Sequence, residues 1–171
     1  MWLILTRRPE IMAKGVASGQ ELEPMLKRPT VLVIGPGLGR SPWSEQLLQQ
    51  AAKSGLPMVV DADALNLLAE GKVLNNNEPR ANWLLTPHPA EAARLLGVET
   101  QAINADRFAS IECIQKKFGG AIILKGAGSL VLGESGITAI VTDGNPGMAT
   151  GGMGDVLSGI LGGLIAQGLS V

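Results

Sequence analysis

The sequence predicts an α/β fold, a mostly parallel sheet flanked by helices with an antiparallel hairpin near one edge. Three observations predict it. Short β-branched or leucine-rich runs alternate with stretches of helical periodicity, as strands and crossover helices do. After Lys125 the period changes, and "SLVLGESGITAIVTD" reads as two strands joined by a turn at Glu134, Ser135 and Gly136. Finally, a glycine-rich run ending in a lone acid, "TGGMGD", stands directly before an apolar helical pattern.

Taken in order, parallel strands are expected at 31–35 (VLVIG), 58–62 (MVVDA), 82–86 (NWLLT) and 121–125 (AIILK). Helices are expected between them at Pro42–Lys53, 64–70, Pro89–Leu96 and 104–118. The polar run "NNNEPR", residues 75–80, reads as an exposed loop. Beyond Asp155, the residues Val156, Leu157, Ile160, Leu161, Leu164 and Ile165 recur at helical spacing and predict a buried helix.

The 171 residues fit a single domain, 1–171, with a sizeable core. A formal charge of -1 without a basic block argues against a nucleic-acid surface and for small-molecule partners. Cys113 is the one cysteine, so neither an internal disulfide nor a cysteine-based zinc cluster can form, which suits a reducing, cytoplasmic setting. The final apolar stretch falls short of the roughly 18 to 20 residues that span a bilayer, so no membrane association is expected. The opening "MWLILTRRPE" lacks the charged start and small-residue cleavage site of a secretory signal.

Glycine destabilises helices and strands by roughly 0.5 to 1 kcal/mol relative to alanine, so its clustering marks tight turns or close approach. In "TGGMGD" the amides of Gly151, Gly152 and Gly154 can converge at a helix N-terminus, where the dipole favours an anion. Asp155 there is equally a plain N-cap or a carboxylate placed to accept a proton from a bound hydroxyl. "VIGPGLGRS" sits between a strand and a helix, with Asp61 about 20 residues on, as in a dinucleotide-binding turn. Its Gly35, Gly37, Gly39 spacing ends on Arg40, so the match is partial, and it is not a P-loop.

"LLTPHPAE" holds His88, the single histidine, between two stiffening prolines, and Glu91 on the next turn. Glu91 reads either as a capping acid or as a holder of magnesium-bound water. "ILKGAGSLVL" puts Lys125 at a strand end before small residues that let a ring or phosphate lie against backbone. An ordinary approach to a hairpin would look the same. In "VVDADALN", Asp63 is a natural helix cap and Asp61 the better ligand candidate.

In this order, "GPGLG", "VVDADALN", "LTPHPAEAARLLG", "ILKGAGSLVL" and "NPGMATGGMGDVLSGILGGLIAQG" resemble the carbohydrate kinase-related, ADP-dependent NAD(P)H-hydrate dehydratases. The resemblance implies a ribokinase-like fold and a lyase that repairs hydrated NADH or NADPH while ADP is split to AMP and phosphate. It implies Asp155 as base, Gly151, Gly152 and Gly154 as phosphoryl-stabilising amides, and Gly37, Gly39 and His88 along the hydrated-dinucleotide site, with Asp155 reaching the same substrate. Lys125, Gly126, Ala127, Gly128 and Ser129, with Gly154, would cradle the adenine nucleotide, and Glu91 would organise Mg2+ indirectly. An epimerase domain, fused or separate, and homo-oligomers are implied as well. Family domains carry more sheet before the equivalent of Trp2 and more helix after that of Val171, so an incomplete domain is expected. Two other readings fit parts of the pattern: a ribokinase-like kinase of a vitamin precursor, and a non-catalytic dinucleotide-binding module.

Overall fold

The computed structural model describes residues 6–74 and 79–171, so most of the chain's opening apolar run and Asn75 to Glu78 of the expected polar loop lie outside the described residues. A short α1 (Gly19–Leu22), capped by Ser18, leads through a 3-10 turn (Glu23–Lys27) into β1 (Leu32–Ile34). Helix α2 (Pro42–Lys53) starts from a reciprocal cap in which the Ser41 and Ser44 hydroxyls each accept the other residue's N–H, with proline in the first turn. Then follow β2 (Met58–Val60), α3 (Ala62–Ala69), β3 (Trp83–Leu85), α4 (Pro89–Leu96), α5 (Thr100–Ala105) and α6 (Arg107–Phe118). The chain continues through β4 (Ala121–Leu124), β5 (Ser129–Leu132), β6 (Thr138–Val141), a second 3-10 turn (Pro146–Met148) and α7 (Met153–Ala166).

The six strands form one sheet in the order β1-β2-β3-β4-β5-β6. Strands β1 to β4 are parallel, with Leu32 beside Met58 and Val60 beside Leu85, whereas β5 and β6 run antiparallel. The four parallel strands and the edge hairpin are those the sequence predicts. Alternate residues face opposite sides of each strand. One face, with Met58, Val60, Leu85 and Ile122, packs under α2 to α6 through Leu48, Leu65, Leu95 and Ile111. The other face presents Val59, Leu84 and Ala121 to Leu161 and Ile165 of α7. No helix among the described residues is long and apolar enough to cross a membrane.

Three expectations change. The helix expected over 104–118 is two, because Asp106 leaves helical geometry (φ -145°) and its carboxylate caps α6 by accepting the Ala109 N–H. The helix expected from residue 64 starts at Ala62, with Asp61 in the extended N-cap position, and Asp63 caps nothing: its Oδ2 accepts the Gly39 N–H at 2.8 Å. Helix α7 is not buried, since Val156 is 56%, Ile160 56% and Leu164 40% exposed. It rests on the sheet by the opposite, small-residue face, where Ser158 and Gly162 are buried. Helical spacing alone does not say whether both sides of an apolar helix find partners.

Candidate active site

The site is built at the carboxyl ends of the parallel strands, where ligands bind in open α/β sheets. Gly35 follows β1 at φ +128°, and a Cβ built there would stand 1.7 Å from the Asp61 carbonyl oxygen. Only glycine can occupy that position, and the close approach seats the 35–39 loop against the end of β2. Gly37 and Gly39 also take positive φ but meet no backbone, and the Gly39 amide is engaged by Asp63.

Asp61 is 1% exposed and forms the centre of the site. Its Oδ1 accepts from Lys125 Nζ at 2.8 Å and its Oδ2 from the buried Ser158 hydroxyl at 2.8 Å. Burial pushes the Asp61 carboxyl up, but the Lys125 ammonium and the Ser158 and Thr86 hydroxyls outweigh it and hold the group below the usual aspartate range. Lys125 is placed by its own amide, which donates to the Pro87 carbonyl at 2.9 Å, and its ammonium also lies 3.9 Å from Glu91 Oε2. Three elements distant in sequence, β2, β4 and α7, are thus joined through one carboxylate.

His88 and Glu91 form a capping box at the start of α4. His88 Nδ1 accepts from the amides of Ala90 and Glu91 at 3.1 and 3.3 Å, and Glu91 Oε2 accepts the His88 N–H at 2.8 Å. The structural role of both residues, left open by the sequence, is therefore present, and Nε2 of the half-exposed imidazole lies 3.4 Å from Glu91 Oε1. The next segment turns tightly: Gly126 (φ +153°) and Gly128 (φ +66°) carry the chain from β4 to β5, and the Ser129 hydroxyl both accepts the Gly126 N–H and donates to its carbonyl.

Helix α7 brings its first turn onto this cluster. Gly152 is the N-cap in left-handed geometry (φ +90°). A Cβ at Gly154 would lie 3.4 Å from Lys125 Nζ and 3.6 Å from Asp61 Oδ2, so bare backbone faces the ion pair. Asp155 follows in the same turn, exposed, its carboxylate without a salt bridge or hydrogen bond among the described residues, and is not the N-cap. Lys125, Glu91, His88 and Gly154 are gathered with Asp61, while Gly37 and Gly39 connect to it through the Gly35 and Asp63 contacts.

Two residues here escaped the sequence reading. Ser158 lies 97 positions from the carboxylate it binds. Its signal was present all the same, since Gly154, Ser158 and Gly162 repeat every fourth residue and form one small-residue face. Arg107, which holds the 125–128 turn from behind, carries no local signal at all.

A parallel sheet closed by an antiparallel hairpin, with a glycine-rich helix start over a lysine–aspartate pair, defines a ribokinase-like domain. A ribokinase-like superfamily protein of Enterococcus faecalis superposes with a TM-score of 0.83 at 31% identity, covering 97% of this chain and 57% of that one. The chain belongs to the NAD(P)H-hydrate dehydratase family, whose model matches residues 2–171. It is 51% identical over 164 residues to the bifunctional NAD(P)H-hydrate repair enzyme Nnr of Coxiella burnetii, which is 96% of this chain and 33% of that protein. It is 40% identical to the ADP-dependent (S)-NAD(P)H-hydrate dehydratase of Neisseria meningitidis, over 95% of this chain and 55% of that protein. The chain thus spans about a third of the length of the Coxiella relative.

Proposed function

We propose that this chain carries the catalytic part of a lyase that dehydrates NAD(P)H hydrate at the expense of ADP, yielding NAD(P)H, AMP and phosphate. The observation that supports this most is the bare Gly154 backbone set against Lys125 and Asp61, an anion-receiving helix start beside a small-residue nucleotide loop. Family membership supplies the substrate class, and the Neisseria relative's name supplies ADP.

In this reading Asp155 removes the proton of the ring hydroxyl as that oxygen attacks the β-phosphorus, and the bond from phosphorus to the AMP oxygen breaks. The amides of Gly151, Gly152 and Gly154 stabilise the charge on the transferring group. The ring nitrogen's electron pair then expels phosphate from carbon, and the neighbouring ring carbon releases a proton, restoring the dihydronicotinamide. Lys125 to Ser129 hold the nucleotide, and Gly37, Gly39 and His88 line the dinucleotide side.

Among the described residues no three carboxylate, histidine or cysteine side chains gather as a metal cage. The residues present fit Mg2+ held mainly by phosphate and water, as Mg2+ commonly is, with Glu91, 3.9 Å from Lys125 Nζ, as a carboxylate able to accept from a metal-bound water. When bound, the ion would supply neutralising charge to phosphate oxygens. The bifunctional relatives' name agrees with a second activity, for which an epimerase, fused or separate, is the natural partner.

The test is recovery of reduced-nicotinamide absorbance from hydrated NADH with Mg2+ and either ADP or ATP. Recovery only with nucleotide supports the dehydratase, and the better donor identifies the phosphoryl source. A stable phosphorylated product would instead indicate a small-molecule kinase, and no turnover of any kind would leave a binding module.

A further inference from the structure

The 125–128 turn is held by one residue that the proposed reaction does not use. Arg107, the first residue of α6, donates from Nη1 to the Ala127 carbonyl at 2.8 Å and from Nη2 to the Leu124 carbonyl at 3.1 Å. Its guanidinium lies close against Gly126, where a Cβ would be 3.1 Å from Nη2. The planar fork thereby clamps both ends of a turn whose middle residue has no side chain to obstruct it.

A peptide unit is planar and trans, so its carbonyl and N–H point in opposite directions. With the Ala127 carbonyl fixed on Arg107, the N–H of Gly128, which belongs to the same peptide, faces the other way. Among the described residues no acceptor takes that N–H. The Leu124 carbonyl works alike: its peptide partner is the Lys125 N–H, which points to the Pro87 carbonyl and so aims the lysine at Asp61. Arg107 also forms no salt bridge among the described residues, and its Nε is buried without a partner. A positive charge not neutralised by any carboxylate therefore sits directly behind an outward-facing amide, an arrangement that attracts an anion in front.

We propose that Arg107 is a positioning residue for the nucleotide: it orients the Gly128 amide toward a phosphate and adds the charge that draws that phosphate in. The inference rests on the reading of 125–129 as the nucleotide cradle, but not on the dehydration chemistry. The test is calorimetric titration of the whole chain with ADP, with and without Mg2+, in wild type, Arg107→Lys and Arg107→Met. Amide hydrogen exchange over 126–129 is followed alongside. Arg107→Met is expected to weaken ADP binding at least tenfold and to speed exchange in the turn, with exchange in β4 unchanged. Arg107→Lys, which keeps the charge but reaches one carbonyl, is expected to fall between. Equal ADP affinity in a folded Arg107→Met protein would overturn the proposal, as would a wild type that binds no ADP. Should the methionine variant fail to fold, the lysine variant decides by the same affinity criterion. ADP binding without hydrate turnover in the wild type would sink the dehydratase reading alone.

Discussion

Lys125 Nζ lies 2.8 Å from Asp61 Oδ1, tying the end of β4 to the end of β2 across the intervening β3. Removing one member of a buried ion pair leaves the other uncompensated, which typically costs 3–5 kcal/mol. The Lys125 side chain retains 21% exposure, so the lower end of that range applies here. Asp61→Asn is expected to lower unfolding free energy by about 3 kcal/mol. Adding Lys125→Met to that background should cost less than Lys125→Met alone, and a denaturant double-mutant cycle that shows strict additivity would refute the coupling.

The same carboxylate predicts a pH dependence. Its folded-state pKa lies below the ordinary value of about 3.9, so its contribution is fully present above that value and is lost as pH falls through the depressed one. The stability gap between wild type and Asp61→Asn should stay constant from pH 7 to about 5 and close as the medium is taken below about 4. Urea midpoints measured down that series check it.

Gly35 and Gly37 occupy one loop but should respond differently to alanine. At Gly35 a methyl would meet backbone at 1.7 Å and the φ of +128° is one that L-residues rarely adopt, so a loss of about 3 kcal/mol or failure to fold is expected. At Gly37, with φ +66° and open space, the left-handed backbone alone costs about 1–2 kcal/mol. Thermal melts of the two variants give the comparison, and similar losses would contradict the contact.

Asp155→Asn should leave the melt within about 0.5 kcal/mol of wild type, because the side chain is exposed and unpaired among the described residues. If Asp155 is the base, hydrate turnover should fall by roughly 10² to 10⁴. Parallel measurements of melting and of nucleotide-dependent absorbance recovery separate the two effects, and an unchanged rate would remove Asp155 from the mechanism.

What the sequence made legible was the local part of this architecture. Runs such as "VLVIG" and "AIILK" carry their strand character in their own composition, and the helices Pro42–Lys53 and Pro89–Leu96 announce themselves by their periodicity. Asp61 was legible as unusual, but read as a ligand, because nothing in "VVDADALN" reveals that a lysine 64 residues on and a serine 97 residues on will use both its oxygens. Asp63 looked like a cap for the same reason, its real partner being the Gly39 amide 24 residues earlier. Contacts of this range leave no periodicity behind. The family resemblance added candidate roles for Asp155 and Lys125 that spacing alone could not distinguish from a cap and a hairpin approach.

The small-residue face of α7 gives the helix a fixed seat. Gly162 comes so close to Val33 that a Cβ there would be 2.4 Å from its side chain, and one turn earlier Ser158 is fastened to Asp61. With one end wedged and the middle latched, α7 cannot slide along the sheet without breaking a buried hydrogen bond. A Cβ at Gly151 or Gly152, just ahead of it, would meet open space. The domain thus has a shaft pinned at two points, and the same pinning fixes where its first turn, with bare Gly154 backbone, stands over Lys125 and Asp61.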